Sequence, residues 1–287
     1  IAMQEWIKDY EIKKIVFYSK NKTLAECINK FSINKNITYK WEKIKINKKV
    51  IIDKLFLKKL IPCEIRAIIW FLRKIKYGWH FRNCGVEDYK NNKSNVLFVD
   101  YFANMNKKSF SEGKFKSSYW GLLVDKLIEE SIHSSWIHIP VDLGQKKNIF
   151  SNFKYVLEKL REFNKSSFKY QNHVLIDSFL SPKIILETLL DWFDLRNKGI
   201  NIKLKKNFPL LNDLDLWPLF ENEWKDSIRG VSSISNCYNF NLFDSAFKKY
   251  NQKTKLIYLF EGQSWEYIMI QAWRNNQNGQ IIGYSHA

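Results

Sequence analysis

The sequence predicts an α/β fold with a mostly parallel sheet and helices on both faces. The run Asn95–Asp100 is apolar enough to form a strand buried on both sides. Strand, loop, helix and strand signals succeed one another across residues 95–139, and the same order recurs across residues 255–284. Alternating strands and helices favour parallel pairing, and right-handed crossovers then bring the carboxyl ends of the strands to one edge.

The N-terminal elements are predicted from shorter signals. Residues 12–18 suit a first strand, and Thr23 is predicted to cap a helix that reaches Phe31. The polar residues 32–50 predict a loop or an edge strand.

Residues 50–79 predict a pair of helices kinked near Pro62, because Ile and Leu recur at helical spacing with Arg and Lys between them. Two interpretations remain open for this segment. It forms either a helix packed in a core, or an interfacial helix that docks on anionic lipid.

Later elements complete the alternation. Residues 101–117 predict a polar loop, and residues 135–139 predict a strand that ends before Pro140. Residues 174–179 suit a strand or the start of a helix. Further helices are predicted at residues 119–130, 150–163, 182–196, 214–230 and 241–250.

The formal net charge of the 287-residue chain is +18. Residues 1–80 hold 19 Lys and Arg against 7 Asp and Glu, so most of the excess lies in the first part of the chain. A regional excess favours a basic surface that attracts nucleic acid or an anionic membrane. A Lys-, Asn- and Ile-rich composition from AT-rich coding is the alternative explanation.

Several classes of function are disfavoured by absent motifs. The sequence contains neither GxGxxG nor GxxxxGK[ST], so no dinucleotide or P-loop nucleotide is expected as a cofactor. Neither zinc-binding spacing nor HExxH occurs, so no metal is expected. The four cysteines, without CxxC spacing, fit reduced thiols of a cytoplasmic protein, and neither a signal peptide nor a membrane span is evident.

The first candidate site is the loop after the strand at 95–100. Gly113, Lys114, Ser117 and Ser118 precede a predicted helix, whose first N–H groups favour an anion. A serine that simply caps the helix is the alternative, and the two roles are compatible.

Polar residues also lie at the carboxyl ends of three other predicted strands. His138 lies at a strand end, where a structural hydrogen bond is the commoner role. Glu261 and Gln263 come directly after the strand at 255–260, and Glu266 falls in the first turn of the next helix, where the helix dipole explains a carboxylate. His286 comes after the last strand. We expect Glu261 to act as a general base and to share one crevice with His286. The other residues expected to line this acceptor crevice are Gly113, Lys114, Ser117, Ser118, His138, Gln263 and Glu266. Binding of a substrate by hydrogen bonds alone is the alternative role for Glu261 and His286.

These stretches together resemble the bacterial surface carbohydrate biosynthesis proteins, a glycosyltransferase-like family. The resemblance covers about residues 95–287. The stretches that carry it are Val96–Phe102, Gly113–Gly121, Trp136–His138, Phe260–Glu266 and Gly283–His286.

The resemblance implies the N-terminal, acceptor-side half of a GT-B glycosyltransferase, with a Rossmann-like domain at 91–287 and a basic, helix-rich segment at 1–90 packed on it. It implies a nucleotide-sugar donor bound mainly by a C-terminal domain that lies outside this chain. It also implies a saccharide or lipid-linked saccharide acceptor. The basic first part of the chain is expected to hold the protein near the anionic inner membrane. A non-catalytic saccharide-binding or assembly protein is the alternative. A nucleic-acid-binding protein is a weaker one, since neither a helix-turn-helix nor another nucleic-acid module is present.

Overall fold

A computed structural model of the chain divides it into two compact units, Ile1–Ile68 with Phe193–Ser233, and Ile69–Trp192 with Ile234–Ala287. The structure describes residues 2–44, 61–103, 105–140, 153–166, 170–202, 204, 214–251 and 253–285. His286, one of the predicted site residues, lies outside the described residues.

Strands and helices alternate along the described chain. The strands are β1 (Lys14–Ser19), β2 (Thr38–Lys43), β3 (Val96–Tyr101), β4 (Ser134–Ile139), β5 (Gln171–Leu175), β6 (Lys255–Leu259) and β7 (Ile281–Tyr284). The helices are α1 (Ala2–Asp9), α2 (Lys22–Asn34), α3 (Cys63–Gly78), α4 (Val86–Asn91), α5 (Lys107–Ser111), α6 (Leu123–Glu129), α7 (Phe153–Ser166), α8 (Pro182–Asn201), α9 (Trp217–Arg229), α10 (Val231–Phe247) and α11 (Ser264–Asn275). Short 3-10 turns come after α3 and β5.

The first unit contains a two-stranded parallel sheet, β1 and β2, and α2 packs against β2 and α9. The predicted first strand is confirmed. The predicted cap of α2 is wrong, because the side chain of Asn21 accepts from the backbone N–H of Leu24 at 3.1 Å. Asn21 therefore takes the capping role that the sequence had suggested for Thr23.

The second unit contains a five-stranded parallel sheet with the order β5-β4-β3-β6-β7. The chain starts at the central strand β3, moves outward to β5, and returns to β6 on the other side of β3. This reversal makes the carboxyl ends of β3 and β6 a topological switch point, where open α/β sheets bind their ligands. The predicted α/β fold with helices flanking a parallel sheet is confirmed.

The interior of this sheet is aromatic. Phe98 on β3 stacks on Trp136 on β4, with ring centroids 4.1 Å apart. Phe115 and Trp120, from the segment after α5, cover the same face and are themselves buried. The segment after β3 is therefore anchored by its aromatic side chains.

Three predicted boundaries differ from the structure for local reasons. The predicted loop 101–117 contains the short helix α5, capped by Asn106. The helix predicted at 119–130 begins only at Leu123, after Gly121 takes a positive φ of 52°. The helix predicted at 241–250 begins at Val231, because the carboxylate of Asp226 accepts the first backbone N–H groups of α10.

Candidate functional site

The carboxyl ends of β3 and β6 bring a tyrosine and a glutamate together. Tyr101 is the last residue of β3, and Glu261 lies two residues beyond β6. The Tyr101 hydroxyl donates to Glu261 Oε2 at 3.1 Å, and Trp265 Nε1 donates to the Tyr101 hydroxyl at 2.8 Å. This chain of donors orients the Glu261 carboxylate, which is exposed, at the switch point.

Tyr101 remains a hydrogen-bond donor at neutral pH. Burial raises the pKa of its phenol well above the usual value, and the negative charge of Glu261 raises it further, while the hydrogen bond from Trp265 acts in the opposite direction. The neutral phenol therefore keeps its proton and donates a hydrogen bond to the carboxylate.

The loop between β6 and α11 folds around Glu266. Its carboxylate accepts from the backbone N–H groups of Glu261, Gly262 and Gln263 at 3.0–3.2 Å. Gln263 and Glu266 form a reciprocal capping box, and Gly262 supplies the turn with a φ of 73°. Glu266 is only 1% exposed.

This arrangement limits what the switch point can bind. In an α/β sheet the N-terminus of the helix after a strand commonly holds a phosphate. Here the three backbone N–H groups of the loop before α11, those of residues 261–263, already donate to Glu266. These loop amides are consequently not available to an anion, and the exposed acidic side chain of Glu261 favours a neutral ligand with hydroxyl groups.

Exposed aromatic residues lie at the same edge of the sheet as Glu261, and the backbone N–H of Phe260 donates to the Tyr284 carbonyl. Phe260, next to Glu261, is 47% exposed, and Tyr284 at the end of β7 is 46% exposed. The Tyr284 ring also stacks on Trp120 at 5.3 Å, which holds it at the end of the sheet. An apolar ring next to a carboxylate matches the two kinds of surface that a sugar presents, its C–H faces and its hydroxyls.

His138, predicted to line the crevice, lies in the interior. Its Nδ1 is 2.5 Å from Asp100 Oδ1, and its Nε2 is 3.1 Å from His173 Nδ1. Trp120 Nε1 donates to the second oxygen of Asp100 at 3.0 Å. All four side chains are buried. Because His138 makes both of its ring contacts inside the protein, its observed role is structural.

His173 holds a single ring proton. Burial lowers its pKa well below the ordinary value, and the neighbouring His138 lowers it further. A neutral His173 can accept from His138 at Nδ1 and donate from Nε2, which lies 3.3 Å from Gln171 Oε1. A polar chain therefore runs from Asp100 to Gln171, which we call the buried chain.

The loop residues that were predicted to line the crevice make their described contacts with groups other than Glu261. Ser117 is buried and its hydroxyl accepts from the Tyr119 N–H, whereas Ser118 is exposed. The Gly113 carbonyl accepts from Ser166 at 3.0 Å. Lys114 forms an ion pair with Glu112 and lines a separate cavity. The described contacts of these residues do not include Tyr101 or Glu261.

Sequence reasoning did not identify Tyr101, His173 or Gln171 as members of these polar clusters. Tyr101 could have been found, since it ends β3 at the same edge as Glu261. His173 and Gln171 were missed because the strand was predicted to begin at Val174, three residues too late. Burial of both faces of β5 removes the alternation that would have marked its start.

The fold and this edge define a Rossmann-like α/β unit with a Tyr–Glu pair at its switch point. No family model, curated protein or solved structure matches the chain. Over the part of the chain that the structure describes, no helix has both the length and the apolar character needed to cross a membrane. The same described residues contain no cluster of three His, Cys, Asp or Glu side chains arranged to hold a metal ion.

Proposed function

We propose that the switch point binds a saccharide hydroxyl and that the protein is a glycosyltransferase of bacterial surface polysaccharide or lipopolysaccharide synthesis. The observation that carries this proposal is the exposed Glu261 carboxylate oriented by Tyr101, with exposed aromatic residues at the same edge of the sheet. The loop amides of residues 261–263 already donate to Glu266, which favours a neutral acceptor beside them over a donor phosphate.

Glu261 would act as the general base of the transfer. Its carboxylate takes the proton of the acceptor hydroxyl, and the resulting oxygen attacks the anomeric carbon of the nucleotide sugar as the bond to the diphosphate breaks. Neutral Tyr101 would hold the carboxylate and donate to it before the hydroxyl arrives. The donor nucleotide would be bound by a further domain of the full-length protein, as in GT-B enzymes.

The hydrogen bond from Tyr101 also supports a second candidate, a saccharide-binding protein without catalysis. A donor on Oε2 holds the carboxylate in one orientation, which suits it to accept hydrogen bonds from saccharide hydroxyls without taking a proton. Removing the carboxylate charge separates the two candidates, because it abolishes a general base but only weakens a hydrogen-bond acceptor.

The test is nucleoside diphosphate release from a set of nucleotide sugars by the full-length protein with saccharide acceptors. Glu261→Gln should reduce turnover at least about a hundredfold, the usual contribution of a general base. Glu129→Gln, a matched change at an exposed glutamate, should not change turnover. Equal turnover in Glu261→Gln and wild type would overturn the base assignment, and saccharide binding without any turnover would favour the binding protein.

We further propose that the protein works at the cytoplasmic face of an anionic membrane. On α3, Ala67 and Phe71 are buried, whereas Ile65, Ile69 and Leu72 are exposed. The exposed residues recur at helical spacing, with Arg66 between them and Arg73, Lys74 and Lys76 after them on the same helix. Residues 51–60, the other half of the predicted helical pair, lie outside the described residues.

A further inference from the structure

A cavity separate from the switch point lies beside the segment after β3, within the same unit. It has a volume of about 460 Å³ and is lined by α5, by the residues after it and by the start of β5. Clefts of a few hundred Å³ are large enough for a small ligand. Neither Tyr101 nor Glu261 lines this cavity.

The cavity has a surplus of one positive charge. Lys108, Lys114 and Lys116 line it together with the carboxylates of Glu112 and Asp125. Lys114 pairs with Glu112 at 3.3 Å, and Lys116 pairs with Asp125 at 2.5 Å. Lys108 has no ion pair among the described residues, so its ammonium group is the cation left over for a ligand.

Gln171 adds an unpaired donor to the same lining. The residue is 2% exposed, and its Nε2 has no hydrogen-bond partner among the described residues. Its Oε1 is engaged by His173 Nε2 at 3.3 Å. The oxygen of the amide lies toward the buried chain, and its NH₂ group is the end left without a partner among the described residues.

A buried amide N–H without an acceptor is unfavourable, by roughly 1–3 kcal/mol in proteins. Such a group is expected to meet a ligand acceptor or an ordered water. Lys108 and Ser109, which carry an ammonium and a hydroxyl group, also line the cavity. Donors with one net positive charge select an acceptor that carries negative charge.

We propose that this cavity binds the oxyanion of a small molecule, a phosphate or a carboxylate, with Gln171 Nε2 and Lys108 Nζ as its donors. The site is independent of the proposed saccharide site at Glu261. The lysine that the sequence assigned to the acceptor crevice, Lys114, belongs to this cavity and completes its rim through the pair with Glu112.

Calorimetric titration with inorganic phosphate and with D-glucuronate at fixed ionic strength tests the proposal and separates the two kinds of oxyanion. At least one should bind, and both Lys108→Ala and Gln171→Leu should weaken that binding about tenfold, as expected for the loss of a charge-assisted hydrogen bond. Lys108 is exposed, so its variant should fold even if the buried Gln171 variant does not.

Two control variants complete the design. Lys126→Ala removes an exposed lysine of α6 that pairs with Glu129 outside the cavity lining, and it should leave binding unchanged. Glu261→Gln should also leave it unchanged. Failure of both anions to bind, or wild-type binding by Lys108→Ala, would overturn the proposal whatever the outcome at Glu261.

Discussion

Asp100 and Tyr101 are neighbours on β3, yet their surroundings are opposite. Asp100 is completely buried and bonds His138 and Trp120, whereas Tyr101 is partly exposed and bonds Glu261 and Trp265. Successive strand residues point to opposite faces of a sheet. One step along the chain therefore separates a polar group that holds the interior together from one that lies at the exposed switch point.

The comparison teaches that position at the carboxyl end of a strand does not by itself mark a functional residue. His138 and Glu261 both satisfy that rule in sequence. The structure buries His138 between Asp100 and His173, and exposes Glu261. Predictions about the two regions should accordingly differ in kind, with effects on stability from the buried chain and effects on binding from the switch point.

The largest expected effect on stability is at Asp100. Asp100→Asn removes the charge that faces His138 and weakens the acceptor for Trp120. We expect the free energy of unfolding to fall by about 3 kcal/mol or more, since a buried partner is left uncompensated. Urea denaturation measures it. Asp125→Asn, which breaks the partly exposed pair with Lys116, should cost less than about 1 kcal/mol.

Equal losses of unfolding free energy in Asp100→Asn and Asp125→Asn would contradict the expected difference between buried and exposed polar groups in this unit.

Glu266 is expected to have the next largest effect. Glu266→Ala leaves the backbone N–H groups of residues 261–263 without their acceptor, and should cost about 2 kcal/mol, as for the loss of a strong helix cap. Glu266→Gln retains a carbonyl oxygen and should cost less. Thermal unfolding compares the two. A Glu266→Ala variant that unfolds at the wild-type temperature would mean that the loop is not held by this carboxylate.

Acid should destabilise the second unit through His173. The pKa of His173 is lower in the folded protein than the value near 6.5 of an unfolded histidine, so the unfolded state binds the proton more readily. The stabilisation is complete above about pH 6.5 and is lost as the pH falls, by at most about 1.4 kcal/mol at pH 5.5. His138, backed by Asp100, is the titratable group in direct contact with His173.

Urea denaturation at several pH values of wild type and His173→Gln isolates this contribution. The variant should show a shallower loss of stability between pH 6.5 and pH 5.5. If the unfolding free energies of wild type and His173→Gln fall equally with pH, the acid sensitivity comes from other groups.

The sequence predicted the sheet and the position of Glu261 because both depend on strong local signals. Apolar runs mark β3 and β6, and a polar residue directly after a parallel strand must lie at the carboxyl edge of the sheet. The burial of His138 could not be predicted, because strands buried on both faces carry no alternation. The start of β5 was hidden for the same reason, and with it Gln171 and His173.

The cap at Asn21 and the early start of α10 escaped prediction for a different reason. Several Asn, Asp, Ser and Thr residues near a helix start can all serve as caps, and the choice depends on tertiary geometry. Asp226, in the preceding helix α9, caps α10 across Gly230. A pattern read within one helix does not reveal such a partner.

The smallest expected effect on stability is on the exposed side of α3. Replacing Ile65 and Leu72 together by Ser should leave the unfolding free energy within about 0.5 kcal/mol, because both side chains are exposed. It should reduce cosedimentation with anionic phosphatidylglycerol vesicles. Leu186→Ser, an exposed leucine of α8, is the control. Undiminished vesicle binding would remove the membrane proposal for α3.

The central claim is that the Tyr101–Glu261 pair contacts a saccharide hydroxyl. The most direct measurement is binding of the protein to an array of bacterial surface polysaccharide fragments. We expect wild type to bind a subset of fragments, Tyr101→Phe and Glu261→Gln to weaken that binding about tenfold or more, and Glu129→Gln to bind as wild type. Absence of any bound fragment, or wild-type binding by both variants at the pair, would contradict the account.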